Sequence, residues 1–240
     1  MGDLIVSLIP LALGIVMSPL AIMALVAVLL SRRSRVNGVA FLVGWALAVV
    51  VALVVASLVF GALEVHELGA PPLWVPVVRL VLGLLLLLGA VFVYRRGHGH
   101  VVAMAEASTP TEVVAAAPQL PGWLRAVETF TPARSAILGF GIFILNPVDA
   151  SCAVLAALDL QLALADSGVI LAAGIVFAVI GILPIAVPVI VTLVRGEAAD
   201  PFLHAARTWI SSHTNVLNAA LLLVIAALQI EKAVSAFVAY

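Results

Sequence analysis

Residues 137–150 read Ile137-Leu138-Gly139-Phe140-Gly141-Ile142-Phe143-Ile144-Leu145-Asn146-Pro147-Val148-Asp149-Ala150, an apolar run that takes in an amide, a proline and a carboxylate before turning apolar again. A proline removes a backbone donor and frees the carbonyl a turn earlier. Backbone of this kind is tolerated at membrane depth only where it faces protein or a water-filled cavity. The first half of the chain carries a matching interruption, Ser18-Pro19, inside a second long apolar run. One polar-proline break per half is the pattern of a transporter whose binding site lies between broken helices.

Composition points to the membrane, since 65% of the residues are hydrophobic, 10% are charged and the mean hydropathy is +1.31. Apolar stretches of about 20 residues mark spanning helices, and six are read here: Leu4 to Leu30, Gly38 to Leu63, Trp74 to Tyr94, Ser135 to Leu158, Gly168 to Val194 and Asn215 to Val238. The first is expected to stay as a helix, because Asp3 and no basic residue precedes an apolar run too long for the core of a signal peptide.

Of the 11 basic residues, Arg32, Arg33, Arg35, Arg95, Arg96, Arg125, Arg134, Arg195 and Arg207 fall on one side of this topology, with only Arg79 and Lys232 toward the other. The positive-inside rule makes the first side cytoplasmic and puts both termini outside. Glu64, Glu67, Asp159 and Asp166 give the outer loops acidic character. Arg32 and Arg33 also form a candidate contact with lipid headgroups.

The two halves read as a repeat. Pro19 and Pro147 are 128 residues apart, and Gly38-Val39, Gly44 and Ala48-Val49 are echoed by Gly168-Val169, Gly174 and Ala178-Val179 at a constant offset of 130. A unit of three helices must enter the membrane from opposite sides in its two copies, which makes the repeat inverted. The expected fold is therefore an all-α integral membrane protein of six transmembrane helices, arranged as two inverted three-helix repeats with helices 1 and 4 broken. Residues 1–94 form the first repeat, 95–134 a cytoplasmic linker and 135–240 the second repeat. Two surface helices are expected as well, over Pro121 to Phe130 and from Asp200, with Asp200 as N-cap and Pro201 in the first turn.

Asn146 lies about 11 residues, or roughly 16 Å, into the fourth span, close to the middle of a hydrocarbon core of about 30 Å. Asp149 follows within a turn, and an ionisable group at that depth points to function by default, pairing with a cation or taking up a proton. Ser18, Pro19, Asn146 and Pro147, with Gly14 and Gly141 nearby, are the candidate substrate and gating positions, and Asp149 is the candidate coupling group. The competing reading of Asp149 is a hydrated residue nearer the interface, and that of Ser18 and Asn146 is simple hydrogen bonding within or between helices. Pro184 and Pro188 are expected to bend the fifth span, and Asn215 and Asn218 to cap or line the start of the sixth.

No Gly-rich loop ending in Lys-Ser or Lys-Thr is present, so ATP hydrolysis by a P-loop is not expected. The lone Cys152 excludes an internal disulfide, and His98 with His100 is an incomplete metal site. No enzymatic activity, cofactor, metal or nucleic-acid partner is expected.

The run Ala12-Leu13-Gly14-Ile15-Val16-Met17-Ser18-Pro19-Leu20-Ala21-Ile22, followed by Arg32-Arg33 and Asn37-Gly38-Val39-Ala40-Phe41-Leu42-Val43-Gly44-Trp45, resembles the peptidoglycolipid addressing protein family of actinobacteria, within the lysine exporter superfamily. Gly139-Phe140-Gly141 and Asn146-Pro147 extend the likeness into the second half. The superfamily often continues Asn-Pro with Lys, whereas Val148-Asp149 stands here, an anion in place of a cation. The resemblance implies export of an envelope glycolipid, such as a glycopeptidolipid or sulfolipid, across the bacterial inner membrane. It implies membrane lipids as partners, with a lipid-synthesis or export complex and a homo-oligomer as further associations. Two other readings stay open: an exporter of a small solute such as an amino acid or cation, and a non-transporting scaffold subunit of a lipid-export complex.

Overall fold

The computed structural model describes residues 2–29, 33–63, 72–106 and 131–238. They form α1 (Gly2–Val16), α2 (Pro19–Leu29), α3 (Ser34–Ala62), α4 (Trp74–Glu106), α5 (Pro132–Leu145), α6 (Pro147–Gln161), α7 (Ser167–Arg195), a 3-10 turn (Gly196–Ala199) and α8 (Asp200–Val238). Among the described residues all regular structure is helical. By length and composition, four helices suffice to cross a membrane, or six spans result if α1–α2 and α5–α6 each count as one bent span.

Both breaks follow from their prolines. Pro147 cannot donate a helical hydrogen bond, and it pushes the residue before it out of helical backbone. Asn146 accordingly sits at φ −79° and ψ 110°, closing α5 and capping α6 by accepting from the Val148 amide at 3.1 Å. The axes of α5 and α6 diverge by 69° and those of α1 and α2 by 45°. The last amide bonds of α1 tighten, with Ser18 N–H donating to the Ile15 carbonyl, before Pro19 opens α2.

Helix α6 occupies the centre, packed by α1, α3, α4 and α7. Its sequence is mostly small and apolar, as suits a helix packed on several sides, and its two carboxylates, Asp149 and Asp159, are buried with it. Residues Ser151 to Ala153 and Leu155 to Leu160 are all buried. The tightest seam joins α3 to α5, where a Cβ on Gly44 would be driven into the Ala136 carbonyl oxygen and one on Gly139 into that of Phe41. Only glycine permits backbones to approach so closely. Trp45, one residue along, donates its indole N–H to the Gly181 carbonyl of α7 at 3.0 Å and meets Phe143 edge-on at 5.1 Å. The outward faces of α3, α4 and α7 carry exposed Val43, Leu47, Leu88, Leu171 and Ile175, as lipid-facing helices require.

Three boundaries differ from the sequence reading. Helix α4 runs past Tyr94 to Glu106, through the polar start of the expected linker. The segment from Asp200 is not a separate surface helix, for α8 is continuous from Asp200 to Val238 and Asp200 is its first residue after the 3-10 turn. Helical hydrogen bonding is local and needs no apolar face to continue, so polarity marked a change of surroundings there and not a helix end. Asp159, taken as an outer-loop acid, lies inside α6 and is buried. Helix α7 continues through Pro184 and Pro188 and ends at Gly196, whose φ of +56° suits glycine. The expected helix over Pro121 to Phe130, the side chains of His98 and His100, and Asn215 lie outside the described residues.

Candidate functional site

The two chain breaks meet. Ser18 Oγ donates to Asp149 Oδ2 at 2.9 Å, joining residues 131 apart in sequence. Asn146 Nδ2 donates to the same Oδ2 at 2.6 Å and lies 3.2 Å from Ser18 Oγ. The broken backbone is what makes this possible. Asn146 turns its side-chain oxygen to the Val148 amide, which leaves its nitrogen free to reach Asp149 one turn into α6.

Asp149 is fully buried, so the reading of it as a hydrated interfacial residue is not what the structure shows. Among the described residues its Oδ1 is buried without a hydrogen-bond partner, and no basic side chain pairs with it. A carboxyl with one oxygen doubly served and the other bare retains capacity for a proton or a cation. Cys152, also buried, lies one turn further along α6, and its Sγ lies 2.8 Å from where a Cβ on Gly14 would stand. Gly14 therefore brings α1 against α6 directly beside the polar cluster.

The remaining candidates are placed less closely. Pro19 and Pro147 begin α2 and α6 without belonging to the hydrogen-bonded group. Gly141 has nothing within 4 Å of the position a Cβ would take, so no close approach at the break requires glycine there. Arg32 lies outside the described residues, and Arg33 is exposed at the start of α3. Asn218 is buried within α8. Among the described residues no group of three or more His, Cys, Asp or Glu is arranged to hold a metal ion.

A second polar cluster was missed. Arg79 donates to Asp159 Oδ1 at 2.6 Å and to Gln229 Oε1 at 2.9 Å, and Lys232 Nζ reaches Asp159 Oδ2 at 3.3 Å and Ser7 Oγ at 3.0 Å. Sequence reasoning used Arg79 and Lys232 for topology and Asp159 as loop charge. The signal was there in the form of ionisable residues set within apolar helices, which normally pair with one another.

Beside these clusters an apolar groove of about 600 Å³ opens between α3 and α4. Val55 and Phe60 of α3 and Val78 and Leu82 of α4 form its walls, and Ile144 and Val154 of the second half reach its base. Because the groove lies on helices with lipid-facing surfaces and is almost free of polar atoms, it suits a hydrocarbon chain.

A family model described as Sap, sulfolipid-1-addressing protein, matches residues 8–235, nearly the whole chain. No curated protein and no solved structure matches it.

Proposed function

The chain belongs to the sulfolipid-1-addressing protein family, and from that premise we propose that it is a secondary transporter or flippase-like exporter of an envelope glycolipid, working without ATP. In this reading the six spans form two inverted three-helix repeats in the bacterial inner membrane, with both termini outside. The chain performs no covalent chemistry and works alongside lipid-synthesis or export proteins. Membrane and envelope lipids are its ligands.

The observation that carries this reading is the apolar groove between α3 and α4, which receives residues from both halves. A lipid substrate needs lateral access from the bilayer, and a hydrocarbon-lined groove on the membrane-facing surface supplies it. Ser18 and Asn146 form the gate beneath, holding the two broken helices together through Asp149. Asp149 is the coupling group: when its bare oxygen takes a proton or cation, the bonds that tie α1 to α6 change in strength, and the halves are free to rearrange.

Reconstituted protein tests the proposal directly. Liposomes with and without a proton gradient are loaded with a sulfated glycolipid on one leaflet, and its movement to the other is followed. Gradient-dependent movement that Val55→Trp blocks by filling the groove is the expected result. Absence of movement under both conditions, with folded protein, would return the chain to a scaffold role.

A further inference from the structure

The cluster around Asp159 joins four helices at the end of the molecule where α1 begins and α8 finishes. Ser7 comes from α1, Arg79 from α4, Asp159 from α6, and Gln229 and Lys232 from α8. These residues are not neutral as a set. Two cations share one carboxylate, each holding a different oxygen, so one positive charge is left over. The side chains of Arg79 and Asp159 are 8% and 4% exposed, whereas that of Lys232 is 32% exposed. The buried pair is thus satisfied, and the excess charge resides on the more open lysine.

That lysine borders a cavity. Ser7, Arg79, Asp159, Lys232 and the turn at residues 162–165 enclose about 340 Å³. Among its described lining residues, Arg79, Asp159 and Lys232 are the charged ones. Lys232 uses its ammonium donors on Ser7 and Asp159, and a primary ammonium carries one more. Among the described residues the Arg79 guanidinium, which has five N–H donors, bonds through two of its nitrogens. A cation held in a partly desolvated position by a rigid frame is costly unless an opposite charge joins it. Oxyanions meet that need best, because several oxygens accept charge-assisted bonds from the ammonium and guanidinium together.

We propose that Arg79 and Lys232 form a binding site for an oxyanion, either a sulfate or phosphate ester in a lipid headgroup or the corresponding free ion. Asp159 positions the two cations and offsets one of their charges. The lipid source extends the transport reading, because α4 and α6 line both this cavity and the apolar groove. On α4 the neighbours Val78 and Arg79 line the groove and the cavity respectively. The site itself stands whether or not the chain moves lipid.

Full-length protein in phosphatidylcholine nanodiscs provides the test. Melting is compared in sodium sulfate and sodium chloride at matched ionic strength, and native mass spectrometry compares retention of a sulfated glycolipid with that of its unsulfated counterpart. Stabilisation by sulfate supports a free-ion site, and selective retention of the sulfated lipid supports a headgroup site. In either case Lys232→Gln, which leaves the Arg79–Asp159 pair in place, weakens the effect about tenfold or more by removing one charge-assisted contact, and Lys232→Arg restores it. No preference for sulfate or sulfated lipid in folded wild-type protein overturns the proposal. So does a preference that Lys232→Gln leaves unchanged. Loss of transport with anion selectivity intact counts against the transport reading alone, and Val55→Trp, which lines the groove and not the cavity, reports on the groove separately.

Discussion

Ser18 and Asp149 are bonded at 2.9 Å although they lie 131 positions apart, in different halves of the chain. Each owes its position to a proline. Pro19 ends the donor ladder of α1 just past Ser18, and Pro147 restarts the second broken helix so that Asp149 falls in its first turn. One carboxylate oxygen receives both Ser18 and Asn146, so the contact between halves depends on the state of a single side chain.

Asp149→Asn keeps the shape and removes the group that can gain or lose a proton. Export is expected to fall at least about tenfold while the yield of monodisperse protein is unchanged, as befits an intramembrane ionisable group that serves function. Ser18→Ala removes the hydroxyl's bonds to Asp149 and Asn146, lowering stability by about 1–2 kcal/mol, and reduces export less. Lipid transport alongside size-exclusion chromatography separates the two effects, and full export by Asp149→Asn would remove it from the mechanism.

Gly44→Ala should destabilise the protein by about 1–3 kcal/mol, the usual range for overpacking. Its new methyl group meets the Ala136 carbonyl, a backbone atom with no rotamer to change. Gly141→Ala has open space around it and should be neutral or stabilising by up to about 1 kcal/mol through helix propensity. Thermal melts of the two variants in the same detergent give the comparison, and equal melting would contradict the tight seam.

Gly14→Cys places a second thiol against the native Cys152, whose sulfur already lies 2.8 Å from the Cβ position. That separation suits a disulfide between α1 and α6. Oxidation is expected to block export and a reductant to restore it, with Gly14→Ser as the control that adds comparable bulk without the bond. Thiol labelling of the denatured protein reads out whether the bond has formed.

Trp45→Phe retains a ring against Phe143 but deletes the bond to the Gly181 carbonyl. A loss of about 1 kcal/mol is expected from that bond, with a further contribution from the smaller ring. Trp45→Phe combined with Gly181→Ala tests whether the α3–α7 contact acts as one unit, since residues in contact give non-additive changes.

The breaks were legible because their cause is local: a proline after a polar residue in an apolar run disrupts a helix whatever surrounds it. That they meet was legible only through the spacing of Gly38, Gly44 and Ala48 against Gly168, Gly174 and Ala178. The pairing of Asp159 with Arg79 and Lys232 was not, because it joins positions 80 and 73 residues apart with no motif to link them. A charge near a helix end looks the same in sequence whether it faces water or a partner. The continuation of α4 to Glu106 was hidden by Arg95-Arg96-Gly97-His98, a run whose polarity suggested a loop although its backbone remains helical.

The glycine seam between α3 and α5 sets the terms for motion. Where side chains meet, a joint slides by changing rotamers; where Gly44 and Gly139 bring main chain against main chain, nothing yields by small steps. Helix α3 from the first half and α5 from the second thus behave as one stiff spindle through the molecule. Under the proposed transport function, a change that admits cargo turns about this spindle, with the elbows at Ser18 and Asn146 as the parts that swing.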